Sequence, residues 1–302
     1  MKSQHKWFAV VNPAAGGGRA GKLAEDAIDK LRKAGVLIDP HFTRAPGEGV
    51  ALARVAYAGG FRHFIAVGGD GTSYEIVNGL FPQAQGAEPP TLAFLPLGTG
   101  NSFLRDFTAR GAEHAYSALV AGRSRRCDVM LLRHAGGVLY YINLLSVGFA
   151  ADVAFDRADR FRHLGELGYL LGVFTRLVSL DRRPFPLRVD GDPEFDRRPC
   201  LFLTFNNSKY TGGKMMIAPD ADPTDGFIEY VRWGAIGRAG LLWNLRTLYD
   251  GTHVKHPLAE RRAARRIDFD LDAPVNVMID GEVLRLQLQS IEVLPGALNV
   301  VV

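Results

Sequence analysis

Cysteine is scarce in this chain. Cys127 and Cys200 are the only two, they stand far apart, and neither sits in a CxxC pair. That spacing argues against a disulfide framework or a cysteine-based zinc site and fits a reducing, cytoplasmic compartment. Long apolar runs are missing as well. The first such run, Trp7-Phe8-Ala9-Val10-Val11, stops at Asn12-Pro13 and is too short for a signal peptide or a membrane span. Any membrane contact is therefore expected to be peripheral. There is no internal repeat, no low-complexity tract and no long linker. A complete Walker A loop is absent too: Gly16 to Lys22 follows GxxxxGK, but Leu23 takes the place of the hydroxyl that would hold Mg²⁺.

What is present is enough for about two domains, with 302 residues of which 47% are hydrophobic. The formal net charge of +4 suits an anionic partner such as a nucleotide or an acidic lipid, without identifying one. Basic residues are densest at Arg123-Ser124-Arg125-Arg126 and at Arg261-Arg262-Ala263-Ala264-Arg265-Arg266. Each cluster reads either as a solvated surface or as a membrane-facing patch. Nucleic acid is not an expected partner, because no recognition motif accompanies them.

Up to about residue 122 the pattern alternates between strand and helix. Strands are expected at Trp7–Val11, Val36–Phe42, His63–Val67 and Thr91–Leu95, with helices near Ala20–Lys33, Gly49–Tyr57 and from Ser73 onward. Leu23, Ala27 and Leu31 are expected on the inner face of the first helix. This alternation predicts an open α/β sheet whose ligands bind at the carboxyl ends of its strands. The turns holding Asn12, Thr43, Asp70 and Thr99 all fall at that edge. From Cys127 the texture changes to short apolar runs at close spacing, which predicts a β-sandwich-like second domain. Helical inserts are expected at about 156–180 and 237–249. Phe161, Leu164, Gly168, Leu171, Phe174 and Val178 in the first insert either pack on the sandwich or line a groove for an acyl chain. The expected domains are residues 1–127, rejoined by about 291–302, and residues 128–290.

The chemistry centres on Val67-Gly68-Gly69-Asp70-Gly71-Thr72, between an apolar strand and a helical pattern. Glycines at 68, 69 and 71 let the backbone turn sharply and approach a ligand. Amides ahead of a helix N-terminus favour phosphate, and Asp70 beside them could hold Mg²⁺ or act on a proton. A plain strand-to-helix turn is the competing reading.

Four stretches in order resolve that choice: Asn12-Pro13-Ala14-Ala15-Gly16-Gly17, Gly68-Gly69-Asp70-Gly71-Thr72, Leu97-Gly98-Thr99-Gly100-Asn101 and Asp280-Gly281-Glu282. Together they resemble the diacylglycerol kinase catalytic-domain family, which includes sphingosine, ceramide and bacterial lipid kinases. A fifth stretch, Pro219 to Gly226, resembles that family's metal-linked loop. The resemblance implies an ATP-dependent lipid kinase that works at a membrane surface. It implies an α/β nucleotide-binding domain, a β-sandwich lipid domain, and ATP with Mg²⁺ in the cleft between them. Asn12, Pro13, Ala14, Ala15, Gly16, Thr43, Gly69, Asp70, Gly71, Thr72, Ser73, Tyr74, Glu75 and Thr99 would line the nucleotide. Glu282 would be the general base, and Asp70 would stand beside the catalytic Mg²⁺. Asp222, Asp225 and the carbonyl of Phe227 would match a second, structural metal position, joined by Asp128. Phosphoryl transfer asks mainly for positioning and charge neutralisation, which such residues supply.

The residues leave other readings open. Asp280-Gly281 also suits an ordinary hairpin turn with Glu282 on the next strand, and the Asp220 to Asp225 loop suits a turn without metal. Two positions depart from the family pattern: Ala15 where many members carry serine, and Ser102 where many bacterial members carry aspartate. The segment Ser146 to Val153, followed by Arg160 to Leu167, is similar to that of sphingosine kinases. There the residue matching Asp152 recognises the polar head of the sphingoid base. An NAD kinase-like enzyme and a non-catalytic nucleotide- or lipid-binding module are the alternatives. A homo-oligomer is left open.

Overall fold

The computed structural model describes residues 5–98, 100–160, 180–212 and 214–302, without the side chains of 157–160. The chain forms two compact units, Met1–Val129 with Leu294–Val302, and Met130–Val293.

The first unit alternates strand and helix: β1 (Lys6–Val11), α1 (Arg19–Lys33), β2 (Leu37–Phe42), α2 (Glu48–Ala58), β3 (His63–Gly68), α3 (Asp70–Leu80), β4 (Thr91–Pro96) and α4 (Ala112–Ala121). The strands lie parallel in the order β2-β1-β3-β4, and Asn299 and Val300 of the returning segment pair with Thr91 and Leu92 of β4. β1, β3 and β4 are buried almost throughout, as strands covered on both faces must be. Ala20, Ala24, Ala27, Ile28 and Leu31 of α1 pack on Ala9, Val11, Ile65, Val67, Ala93 and Leu95. Leu23 is not on that face. It is 38% exposed, because a stripe of alanines one residue along brings the helix close to the sheet. Gly79 lets α3 close on α2, since a Cβ there would lie 2.5 Å from the Val50 carbonyl oxygen.

The second unit begins within β5 (Ser124–His134), which pairs with β6 (Gly137–Tyr141). β7 (Leu144–Gly148), α5 (Phe149–Arg160), β8 (Leu187–Val189), β9 (Cys200–Asn206), the short β10 (Tyr210–Thr211) and β11 (Met215–Met216), and β12 (Ile228–Gly234) follow. Then come α6 (Arg238–Asn244), α7 (Thr247–Asp250), β13 (Ala259–Ala264), β14 (Arg266–Phe269), β15 (Val275–Ile279), β16 (Glu282–Leu286) and β17 (Leu288–Val301). A six-stranded antiparallel sheet runs β13-β12-β9-β7-β15-β16. β14 lies antiparallel between β8 and the first half of β17. Trp233, Val231, Leu201, Phe202 and Leu144 form a core with Leu241 and Leu248 of α6 and α7. The architecture is an N-terminal α/β domain with a C-terminal antiparallel β-sandwich-like domain.

The arginine-rich stretch at 261–266 is partly an edge strand, β13, which its charge hid from the strand pattern. Charged side chains keep such an edge from pairing with another chain. These arginines are also engaged: Arg262 with Asp192 at 3.1 Å, Arg261 with Asp220, and Arg266 with Asp268 at 2.8 Å. Beyond residue 160 the first helical insert, and with it the proposed acyl groove, lies outside the described residues.

Candidate active site

Three glycine-containing loops nest at the carboxyl ends of β1, β3 and β4. The loop after β1 carries Gly16, Gly17 and Gly18 at φ 63, 66 and 90°, a left-handed run that side chains disfavour. Asn12 shapes its start, donating its backbone N–H to the Val67 carbonyl at 3.0 Å and accepting from the Ala14 amide at its Oδ1 at 3.1 Å. The loops after β3 and β4 are stitched by the Gly98 amide to the Gly68 carbonyl at 2.9 Å and the Asp70 amide to the Gly100 carbonyl at 3.1 Å. They touch so closely that a Cβ at Gly98 would lie 3.0 Å from the Gly69 nitrogen. A Cβ at Gly69 would lie 2.7 Å from the Gly100 oxygen, and one at Gly16 3.3 Å from the Gly98 Cα. Pro13, Ala14 and Ala15 belong to the same nest.

Asp70 opens α3 in the middle of it. Its two carboxylate oxygens each accept from the Ser102 amide at 3.0 Å. Burial pushes the carboxyl above the ordinary carboxylate range, and the Ser102 and Phe103 hydrogen bonds pull it partly back. A carboxylate short of compensating charge, among backbone-lined loops, fits a cation and an anion side by side. Gly71 and Thr72 continue the first turn. The Thr72 hydroxyl is buried and has no hydrogen-bond partner among the described residues, and a Cβ at Gly68 would collide with it.

Other residues expected at the nucleotide have visible structural work. Thr43 is buried and donates its amide and hydroxyl to the Val11 carbonyl at 2.8 and 3.3 Å. Ser73 Oγ donates to the Asp70 carbonyl at 2.8 Å, and Tyr74 is buried. Both oxygens of Glu75 accept amides ahead of and at the start of α2, from Gly47 and Gly49, at 2.8 Å each. Thr99 lies outside the described residues.

In the second unit Asp280-Gly281 is a two-residue hairpin turn between β15 and β16, with both residues at positive φ (47 and 91°). Such a turn matches the twist of its strands. The Asp280 carboxylate is buried and accepts the amides of Ile142, Asn143 and Leu144 at 2.9, 3.0 and 3.0 Å. It anchors the β6–β7 connection and leaves Glu282, the first residue of β16, exposed. Nothing in the sequence pointed to those three amides.

Asp152 is buried on α5. It accepts from Asn276 at 2.8 Å, and each of its oxygens accepts from Arg183 at 3.2 Å. Its charge is thus met by a guanidinium within the protein. Asp128 accepts from the Gly296 amide at 2.7 Å inside the first unit. Asp222 and Asp225 are exposed; Asp222 Oδ1 accepts from Thr224 and Asp225 Oδ1 from the Phe227 amide at 2.9 Å. Burial, with the Asp225 charge adding to it, pushes Glu229 up to about 7. The oxygen-only donors of this loop are of the kind hard cations take. Among the described residues, no cluster of three or more carboxylate, histidine or cysteine side chains is set for a metal.

The sequence profile of the diacylglycerol kinase catalytic domain matches residues 6–132, and that of the YegS C-terminal NAD kinase beta sandwich-like domain matches 143–302. The chain belongs to the diacylglycerol kinase catalytic-domain family. It is 29% identical to a diacylglycerol kinase of Mycobacterium tuberculosis, over 98% of this chain and 94% of that protein. A Staphylococcus aureus diacylglycerol kinase is 27% identical over 90% of this chain and 84% of its own. A crystal structure of a diacylglycerol kinase from Bacillus anthracis superposes with a TM-score of 0.71 at 19% identity, covering 100% of this chain and 98% of the other; that likeness bears on the fold. The protein is a kinase of this family, and its glycine loops lie within the matched catalytic domain.

Proposed function

We propose that this protein transfers the γ-phosphate of ATP to the free hydroxyl of a diacylglycerol-type lipid at a membrane surface. The observation that carries the reading is the nest of glycine loops around Asp70, whose desolvated carboxylate is poised for a cation. In this reading the backbone of Asn12 to Gly16 and Gly69 to Thr72 receives the phosphates, with Thr43, Ser73, Tyr74, Glu75 and Thr99 completing the pocket wall. Mg²⁺, when bound, would neutralise the charge of the transferring group. Asp70 would hold it, while Asp222, Asp225 and the Phe227 carbonyl would hold a structural ion.

Glu282 takes the proton of the lipid hydroxyl as that oxygen bonds to the γ-phosphorus, and ADP leaves with the electrons of the broken P–O bond. Glu282 stands exposed at the first position of β16, directly after the Asp280-Gly281 turn. A glycerolipid alcohol is favoured over a sphingoid base because Asp152 already holds Arg183 and Asn276.

The test is transfer from labelled ATP to diacylglycerol, monoacylglycerol, sphingosine, ceramide and NAD in parallel. Labelled phosphatidic acid as the main product supports the reading. Product from NAD alone, or ATP binding with no product, overturns it.

A further inference from the structure

The segment from Arg238 to Asp250, which forms α6 and α7, has two unlike faces. Leu241, Leu245 and Leu248 turn inward onto the Trp233 core. At helical spacing on the other side stand Leu242, Trp243, Arg246 and Tyr249. An outward face of a soluble domain is ordinarily polar. Here Trp243 is 87% exposed, Tyr249 58% and Leu242 53%. Arg238, four residues before Leu242, and Arg246, four after it, bracket the apolar group. Lys255 is exposed in the turn that follows. The one acidic side chain between Ala235 and Leu258 is Asp250, and its Oδ1 accepts from Thr252.

We infer that this face docks on an anionic phospholipid bilayer, with Trp243, Leu242 and Tyr249 entering the headgroup–acyl boundary and Arg238, Arg246 and Lys255 meeting lipid phosphates. The charge decides the occupant. Tryptophan and tyrosine favour the membrane–water boundary, and each nearby basic residue adds attraction to an anionic leaflet. A second copy of the chain is the poorer fit. In a two-fold contact the patch would meet itself and bring its arginines together. The docking surface gives the lipid-kinase reading, on which it rests, a route to a substrate that does not leave the membrane. It is separate from the arginines of β13, which are held in ion pairs.

Intrinsic fluorescence can report it, because Trp7 and Trp233 are buried and Trp243 alone of the three tryptophans faces outward. The whole protein is mixed with vesicles of phosphatidylglycerol and brominated phosphatidylcholine, and with brominated phosphatidylcholine alone. Co-sedimentation and quenching are expected with the anionic vesicles. Leu242→Ser with Trp243→Ser should weaken sedimentation by about tenfold or more, and Arg238→Glu with Arg246→Glu by a similar factor that added salt erodes in the wild type. Both variants should keep wild-type transfer to detergent-dispersed lipid.

Unchanged sedimentation of the variants overturns the inference. So does a stable dimer in light scattering that shields Trp243 and ignores vesicles, which would make the face an interface between copies. Vesicle binding that depends on these residues, with no product from any lipid in detergent, would uphold the docking face while removing the kinase reading.

Discussion

The Ser102 backbone N–H points at both oxygens of Asp70, 3.0 Å from each. This is where many bacterial relatives are expected to carry aspartate. A second carboxylate would face Asp70 as a like charge, whereas serine offers a neutral hydroxyl that can donate to it. The Ser102 hydroxyl also helps to hold the Asp70 pKa down against burial. The departure therefore reads as a change in how the Asp70 carboxylate is kept charged.

Asp70→Asn tests that reading. The amide oxygen still accepts from Ser102, and the charge of a half-buried, desolvated carboxylate disappears, so the melting temperature should hold or rise. Turnover should fall by about 100-fold or more, because the side chain can no longer hold a cation well. Thermal melting beside a transfer assay separates the two effects. A variant that loses both fold and activity would return Asp70 to a structural role.

Glu282 and Asp280 are neighbours with opposite expectations. Glu282→Gln alters an exposed strand end, so stability should be unchanged while turnover drops by about 10²- to 10⁴-fold, the range for a lost general base. Asp280→Ala strands three buried amides at a positive-φ position and should cost about 3 kcal/mol or more. Asp280→Asn, which tolerates that backbone and still accepts hydrogen bonds, should cost much less. Chemical denaturation of the three variants gives the order directly.

The nested loops allow a test that touches no charged group. Gly98→Ala would set a methyl 3.0 Å from the Gly69 nitrogen and 3.1 Å from the Gly68 oxygen. Backbone must move, at about 1–3 kcal/mol, and ATP affinity should weaken. An alanine variant that binds ATP as tightly as wild type would show that the close seam is not needed for the nucleotide.

Much of this arrangement was legible because its signals are local. The β3 and β4 runs are continuously apolar, and glycine spacing marks the turns after them, so the α/β half followed from periodicity. Val275–Ile279 and Cys200–Asn206 likewise coincide with apolar runs in the sequence. Long-range pairings left no such trace. The three amides at Asp280 come from residues more than a hundred positions away. Glu75 reads as part of the nucleotide loop, yet it reaches α2 through Gly47 and Gly49. β13 escaped because edge strands need no apolar face. Leu23 misled because the helix closes on the sheet through alanines.

Asp152 bears on substrate choice. With Arg183 and Asn276 as its partners, Asp152→Ala should lower stability by about 1–2 kcal/mol, a modest cost because Arg183 is 37% exposed and can turn to water. Rates on diacylglycerol and on sphingosine should fall together. Loss confined to sphingosine would instead make the carboxylate a direct reader of the sphingoid head.

His253 sets an expectation for pH. Its ring is buried, with Nδ1 3.3 Å from the Thr247 carbonyl oxygen and Nε2 3.1 Å from that of Ile217, and the Trp233 ring packs against it at 5.8 Å. Burial lowers its pKa below the ordinary 6.5, although the two carbonyls and the Asp250 charge pull it upward. The folded protein therefore binds fewer protons at this site than the unfolded chain does. Its contribution to stability is present above 6.5 and is lost as pH falls below that value and the unfolded state gains its proton. His253→Gln should melt lower than wild type at about pH 8 and show a shallower decline toward about pH 5. An equal acid-side slope in both proteins would place that decline in other groups and leave His253 a packing residue beneath α7.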